Sequence, residues 1–135
     1  MKIQLTRYYT DSNIVKGTLA IDSNPFCETR EPGNRSGYGA HLPVGTYTCR
    51  CRPTMFSPMT LQVCRLRGQS MVHIGWSPVK QWLSGTICMG QPDSADTPEE
   101  RELTRQQETF DAFTQRVYEA YVQGEPFTLE VREEV

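Results

Sequence analysis

His73 lies in the run Met71-Val72-His73-Ile74-Gly75-Trp76, and the segment Ser84-Gly85-Thr86-Ile87-Cys88-Met89-Gly90 follows soon after it. An imidazole that titrates near neutral pH, set against a thiol or hydroxyl, is the smallest kit for a base-activated nucleophile. In that arrangement His73 is the candidate base, and Cys88 and Thr86 are the candidate nucleophiles. Gly75 removes a side chain where a ligand approaches, and the backbone amides near Gly85 and Ile87 are candidates to face a developing oxyanion. Ser84 and Gly85 line the same segment, and Trp76 is a candidate aromatic wall. Arg65 and Arg67 are candidates to hold a substrate carboxylate. His41, beside a glycine-rich stretch, is a further candidate for the pocket. The same residues also describe an ordinary strand, loop and strand with a structural histidine, and both readings stand at this level.

The elements that must position these residues read as β structure through the first ninety positions. Ile3–Tyr8 and Val15–Ile21 alternate apolar and polar, which suits half-buried strands, and the turn residues Asp11-Ser12-Asn13 between them predict a hairpin. Glu31 to Gly39, with three glycines, reads as a loop. After the turn Pro43-Val44-Gly45, the run 46–52 places Tyr47, Cys49 and Cys51 on one strand face. Thr60–Leu66 is expected to pair with it, and Met71–Ile74 to follow as a further strand. Near the C-terminus the period changes. Thr97-Pro98-Glu99-Glu100 combines an N-cap residue, a first-turn proline and a capping-box glutamate. Leu103, Gln107, Phe110, Phe113, Val117, Ala120 and Tyr121 then recur at helical spacing, predicting a helix over about 97–123. Gly124 and Pro126 stop it, and 126–132 alternates as a last strand. The expected architecture is a single α+β domain over 1–135: a curved, mostly antiparallel sheet or small barrel, with one long C-terminal amphipathic helix and a final strand.

Composition narrows the function classes. With 135 residues, 37% hydrophobic and 22% charged, the chain can bury a core of its own. No apolar run reaches membrane-spanning length, and the N-terminus lacks a signal-peptide core, so the chain reads as cytoplasmic. The net charge of −2 hides an asymmetry: residues 1–90 carry ten Lys/Arg and four Asp/Glu, and residues 91–135 carry four and twelve. The basic residues of the first part are spread out and lack interleaved aromatics, which argues against a nucleic-acid partner. Five cysteines, an odd number, exclude a complete disulfide framework. Cys49-Arg50-Cys51 with Cys64, Cys88 or a histidine could hold zinc. A knuckle site normally uses wider spacing, however, so buried thiols are the better reading and no metal or cofactor is implied.

The order Pro43-Val44-Gly45-Thr46-Tyr47, Val72-His73-Ile74-Gly75 and Gly85-Thr86-Ile87-Cys88-Met89-Gly90 resembles domain-of-unknown-function family 5675. Those small bacterial and phage-associated proteins read P-x-G-x-Y, I-H-x-G-N and G-C-I-x-x-G. The resemblance spans roughly residues 3–132. The pattern is similar in turn to the L,D-transpeptidase signature, in which a strand histidine precedes S-H-G-C on a β-rich fold. That resemblance implies peptidoglycan cross-linking through a cysteine acyl-enzyme. Here Thr86 stands where the nucleophilic cysteine belongs, Ser84 where the S-H-G-C histidine belongs, and Trp76 where asparagine is usual. Cys88 lies two residues beyond, a displacement of about 6–7 Å along a strand.

Two functions follow from the resemblance. One is a non-catalytic binding or structural module holding a peptidoglycan fragment or a partner protein. The other is a cysteine or threonine acyl-transfer enzyme acting on peptidoglycan stem peptides. Threonine at the expected nucleophile position favours the module, because its alkoxide is far harder to form than a thiolate. Action on the wall would require release by lysis or carriage by another machine, which suits phage-linked biology.

Overall fold

The computed structural model describes residues 1–33, 42–52, 60–64, 72–75, 86–93 and 102–134. Strand β1 (Lys2–Thr10) alternates because its odd-numbered side chains to Arg7 are buried and the even-numbered ones are more exposed. It forms the expected antiparallel hairpin with β2 (Ile14–Ile21). Asp11 fixes the turn: its Oδ1 accepts from the amides of Asn13 (2.7 Å) and Ile14 (2.8 Å).

Strand β3 (Asn24–Pro32) pairs along the whole of β2 and corrects the sequence reading, which took Glu31 and Pro32 into a loop. The physical reason is that Cys27 to Gly33 are all buried, charged residues included, so no polar/apolar alternation marks the strand. Strands β4 (Gly45–Arg52) and β5 (Thr60–Val63) pair antiparallel as expected, and Cys49 is buried between exposed Thr48 and Arg50. They are followed by β6 (Val72–Gly75), β7 (Thr86–Pro92), the two-residue β8 (Leu103–Thr104), helix α1 (Gln106–Val122) and β9 (Phe127–Glu133).

The sheet order is β3-β2-β1-β9-β4-β5-β6-β7-β8. It curls until Glu28–Arg30 of β3 pair with Cys88–Gly90 of β7, so eight strands close into a ring. Among its contacts, β1–β9 and β6–β7 are parallel and the others antiparallel. The last strand therefore sits beside the first, bridging β1 and β4.

Side chains of the inward register rows fill the ring. Leu5, Leu19 and Cys27 form one such row across β1, β2 and β3, and Ile87, Met89, Leu129 and Val131 belong to the same apolar cluster. The next row along is Arg7, Gly17 and Thr29. Arg7 is 1% exposed and makes a two-bond fork to Glu31, Nε to Oε2 and Nη2 to Oε1, both at 2.9 Å. Its Nη1 donates to the Leu42 carbonyl at 2.7 Å. Gly17 is required where the wall narrows: a Cβ there would stand 2.8 Å from the Thr6 carbonyl oxygen and 2.9 Å from Thr29 Oγ1.

Helix α1 closes the opposite end. Phe110, Phe113, Val117 and Ala120 face the apolar cluster, and the Phe113 ring packs at 6.0 Å and 58° against Phe26. Gln91 of β7 donates to Thr109 Oγ1 at 3.3 Å. The helix starts later than the capping signals predict. Leu103, placed by periodicity on the helix stripe, belongs instead to β8, which pairs with Gln91–Pro92 and seats against Gly90. Arg105 then turns through a left-handed conformation (φ 51°, ψ 41°) before the first helical residue. Thr97 to Glu100 lie outside the described residues. Gln107 and Tyr121, also assigned to the stripe, are exposed. Gly124 ends the helix with φ 74°.

Candidate functional site

Strands β6 and β7 bring the two motif segments together in a parallel ladder. His73 stands opposite Thr86, Ile74 opposite Ile87, and Gly75 opposite Cys88. By register, positions 73, 75, 86 and 88 fall at equivalent places along the ladder, and Cys88 lies outside the apolar cluster that takes Ile87 and Met89. The direct cross-strand partner of His73 is the threonine. Cys88 lies one repeat further along and is the partner of the glycine.

Of the other residues that the motifs single out, Trp76, Ser84, Gly85, Arg65, Arg67 and His41 lie outside the described residues. Cys88 is 0% exposed. No disulfide joins the five cysteines. Burial pushes the thiols of Cys27 and Cys49 up to about 12, and it also raises that of Cys51. Among the described residues, no group of three or more His, Cys, Asp or Glu is disposed to hold a metal ion.

On its other side Cys88 pairs with Arg30 of β3, and this contact extends the site in a direction that motif spacing does not show. Arg30 and Glu28 lie on the same outward face, each nearly fully buried, at 1% and 4% exposure. Arg30 Nη1 donates to its neighbour's carbonyl at Thr29 (2.7 Å) and to Glu28 Oε2 (3.4 Å). The Tyr8 hydroxyl reaches both Glu28 oxygens at 3.0 Å. Tyr8 is half-buried on this face, beside the β1–β2 register shift between Arg7 and Tyr9. Burial raises its phenol pKa, opposed by the Arg30 charge.

Lys16, the cross-strand partner of Arg30, lies over the Tyr9 ring at 5.5 Å from its centre. Its pKa is lowered by burial first and by Arg30 second. Tyr9 in turn donates to Asp11 Oδ2 at 2.9 Å. The result is a connected strip of Asp11, Tyr9, Lys16, Arg30, Glu28 and Tyr8 running up to Cys88. Its signal in the sequence is the run Glu28-Thr29-Arg30-Glu31, in which charges at alternate positions sit on both faces of a strand and must be paired when buried.

The Cys88 thiol has no solvent-facing surface in this arrangement. The charged strip is internally compensated, cation against carboxylate and phenol. Its paired, buried charges hold neighbouring strands together.

Comparison with family models, with curated proteins and with solved structures returns no match. The kinship suggested by the short motifs therefore rests on those motifs alone.

Proposed function

We propose that this protein is a non-catalytic binding or structural module, carried on a curled sheet of the kind that L,D-transpeptidases use. One observation carries the reading: Cys88, the thiol nearest in sequence to the expected nucleophile, is fully buried and stands opposite Gly75, one repeat beyond the partner of His73. A nucleophile needs its base within hydrogen-bond reach and its substrate in contact. The motif resemblance adds the biological setting, bacterial and phage-linked, with a peptidoglycan fragment or a partner protein as the ligand. The competing acyl-transfer reading draws support from the register that sets Thr86 opposite His73. It then asks threonine to do a thiolate's work.

The test is thiol labelling of the folded protein with iodoacetamide at neutral pH, read site by site by mass spectrometry. Half-buried Cys51 and Cys64 are expected to react first, with Cys27, Cys49 and Cys88 protected until the protein unfolds. Fast labelling at Cys88 that slows in His73→Ala would replace the module with the enzyme.

A further inference from the structure

A groove of about 380 Å³ runs over the outward face of β1, β2 and β3 toward the end of β7. Its size falls in the range of small-ligand sites, about 300–1,000 Å³. The floor carries Gln4, Thr6 and Thr18, with Thr6 and Thr18 directly opposite each other across the β1–β2 ladder. Gln91 contributes from β7. Its amide nitrogen is bound to Thr109, and its carbonyl oxygen is left to accept, among the described residues. Pro25, Phe26 and Pro92 supply apolar walls, and the Phe26 ring is already fixed by its packing on Phe113.

Three features decide what such a groove takes. Among the described residues, the only charged group lining it is Glu28, whose carboxylate is engaged by the Tyr8 hydroxyl and by Arg30. The groove therefore offers no uncompensated charge to a salt-bridging ligand. The backbone of its floor is also spent. Gln4 and Thr6 pair with both β2 and β9, Thr18 with both β1 and β3, and Glu28 with both β2 and β7. Along that floor a peptide finds no free strand edge, and side chains are left to make the contacts there. What remains is a set of hydroxyl and amide side chains, able both to donate and to accept, set against apolar walls. That combination matches a ring whose edge is hydroxylated and whose face is C–H.

We infer that this groove is a binding site for a neutral saccharide, with Thr6, Thr18, Gln4 and Gln91 meeting the hydroxyls and Phe26 with the two prolines meeting the ring face. The inference goes beyond the module reading and does not depend on the thiol chemistry at Cys88.

The experiment is a titration of the ¹⁵N-labelled full chain with maltose, with N,N′-diacetylchitobiose and, as a control, with end-blocked trialanine, followed by amide shifts. At least one disaccharide is expected to move the amides of Thr6, Thr18 and Phe26 saturably, and the peptide to leave them in place. The double variant Thr6→Val with Thr18→Val keeps the side-chain shape and removes both hydroxyls. It is expected to weaken binding by roughly tenfold. Ala20→Leu, which fills the groove and leaves the hydroxyls, is expected to abolish it, and it serves as the readout if the double variant does not fold. The inference is overturned if neither sugar moves those amides, if the peptide moves them equally, or if a folded variant binds as the wild type does. Sugar binding together with a fast Cys88 would sink the non-catalytic reading alone. No sugar binding together with a protected Cys88 would sink the groove alone.

Discussion

The two ends of the ring are held by different physics. At one end, Phe110, Phe113, Val117 and Ala120 of the helix close over an apolar cluster containing Ile3, Ile21 and Phe127. At the other, the same inward face carries the Arg7–Glu31 fork and the Leu42 carbonyl that Arg7 holds. The apolar end is stabilised by area, spread over many weak contacts. The ionic end depends on two buried charges whose desolvation is offset by each other, by the Leu42 carbonyl and by the Glu133 carboxylate 3.9 Å from Arg7 Nη1. A barrel can thus close one mouth with surface burial and the other with a single matched pair, and the two closures fail in different ways.

The largest expected effect comes from breaking that pair. Arg7→Ala leaves Glu31 buried without its partner and should cost roughly 3–5 kcal/mol in urea unfolding. Phe113→Ala, at the helix end, should cost a similar amount, roughly 3–5 kcal/mol. What separates them is rescue. Adding Glu31→Leu to Arg7→Met should restore most of the lost stability, because the charge requirement disappears from both sides at once. No second substitution around Phe113 should do the same for the cavity left there. A rescue that fails would put the two closures on one footing.

Alkali should loosen the apolar end. Cys27 and Cys49 belong to its cluster, and burial pushes both thiols up from 9.0 to about 12. In the window between these values the unfolded chain has shed protons that the folded one retains, so unfolding becomes easier as pH rises. The stability linked to these thiols is complete below 9.0 and lost on the way up to about 12. Each contributes a slope of roughly 1.4 kcal/mol per pH unit. Denaturant midpoints on either side of the ordinary thiol value measure it, and Cys27→Ala with Cys49→Ala should flatten the profile.

The smallest effect belongs to Asp11, at the hairpin turn on the ionic side. Amide bonds from Asn13, then Ile14, hold its carboxyl below the ordinary 3.8. Its contribution is therefore present above that value and lost as the pH falls through the depressed one. Asp11→Ala should remove this acid-side dependence together with the small stability it supplies at neutral pH, so that the two proteins converge in acid, which an acid titration followed by circular dichroism would show.

How far the sequence revealed the molecule differs by region in the same way. The β1–β2 hairpin, the alternation of β4, the final strand and the helical stripe from Phe110 to Ala120 were legible, because each has one wet face and one dry face. Strand β3 was not, because Glu28, Arg30 and Glu31 are buried on both faces and erase that contrast. The start of the helix misled for a related reason. Capping chemistry is local, whereas the pairing of Leu103–Thr104 with Gln91–Pro92 is a tertiary contact, and the tertiary contact prevailed. At the candidate site, spacing singles out His73, Thr86 and Cys88. Which of them stands across from the imidazole depends on a parallel register, and the approach of Arg30 to Cys88 exists only because the ring closes.

The adjacency of β1 and β9 also constrains how the chain matures. Lys2 pairs with Thr128 and Arg7 with Glu133, so β1 waits for a strand far downstream before its second edge is covered. Nucleation from local hairpins can begin early, but joining such distant segments carries a large loop-closure entropy and sets a slow final step. Until then the unpaired flank of β1 is an open template for another chain, and the hazard of misassociation falls during synthesis and not after it.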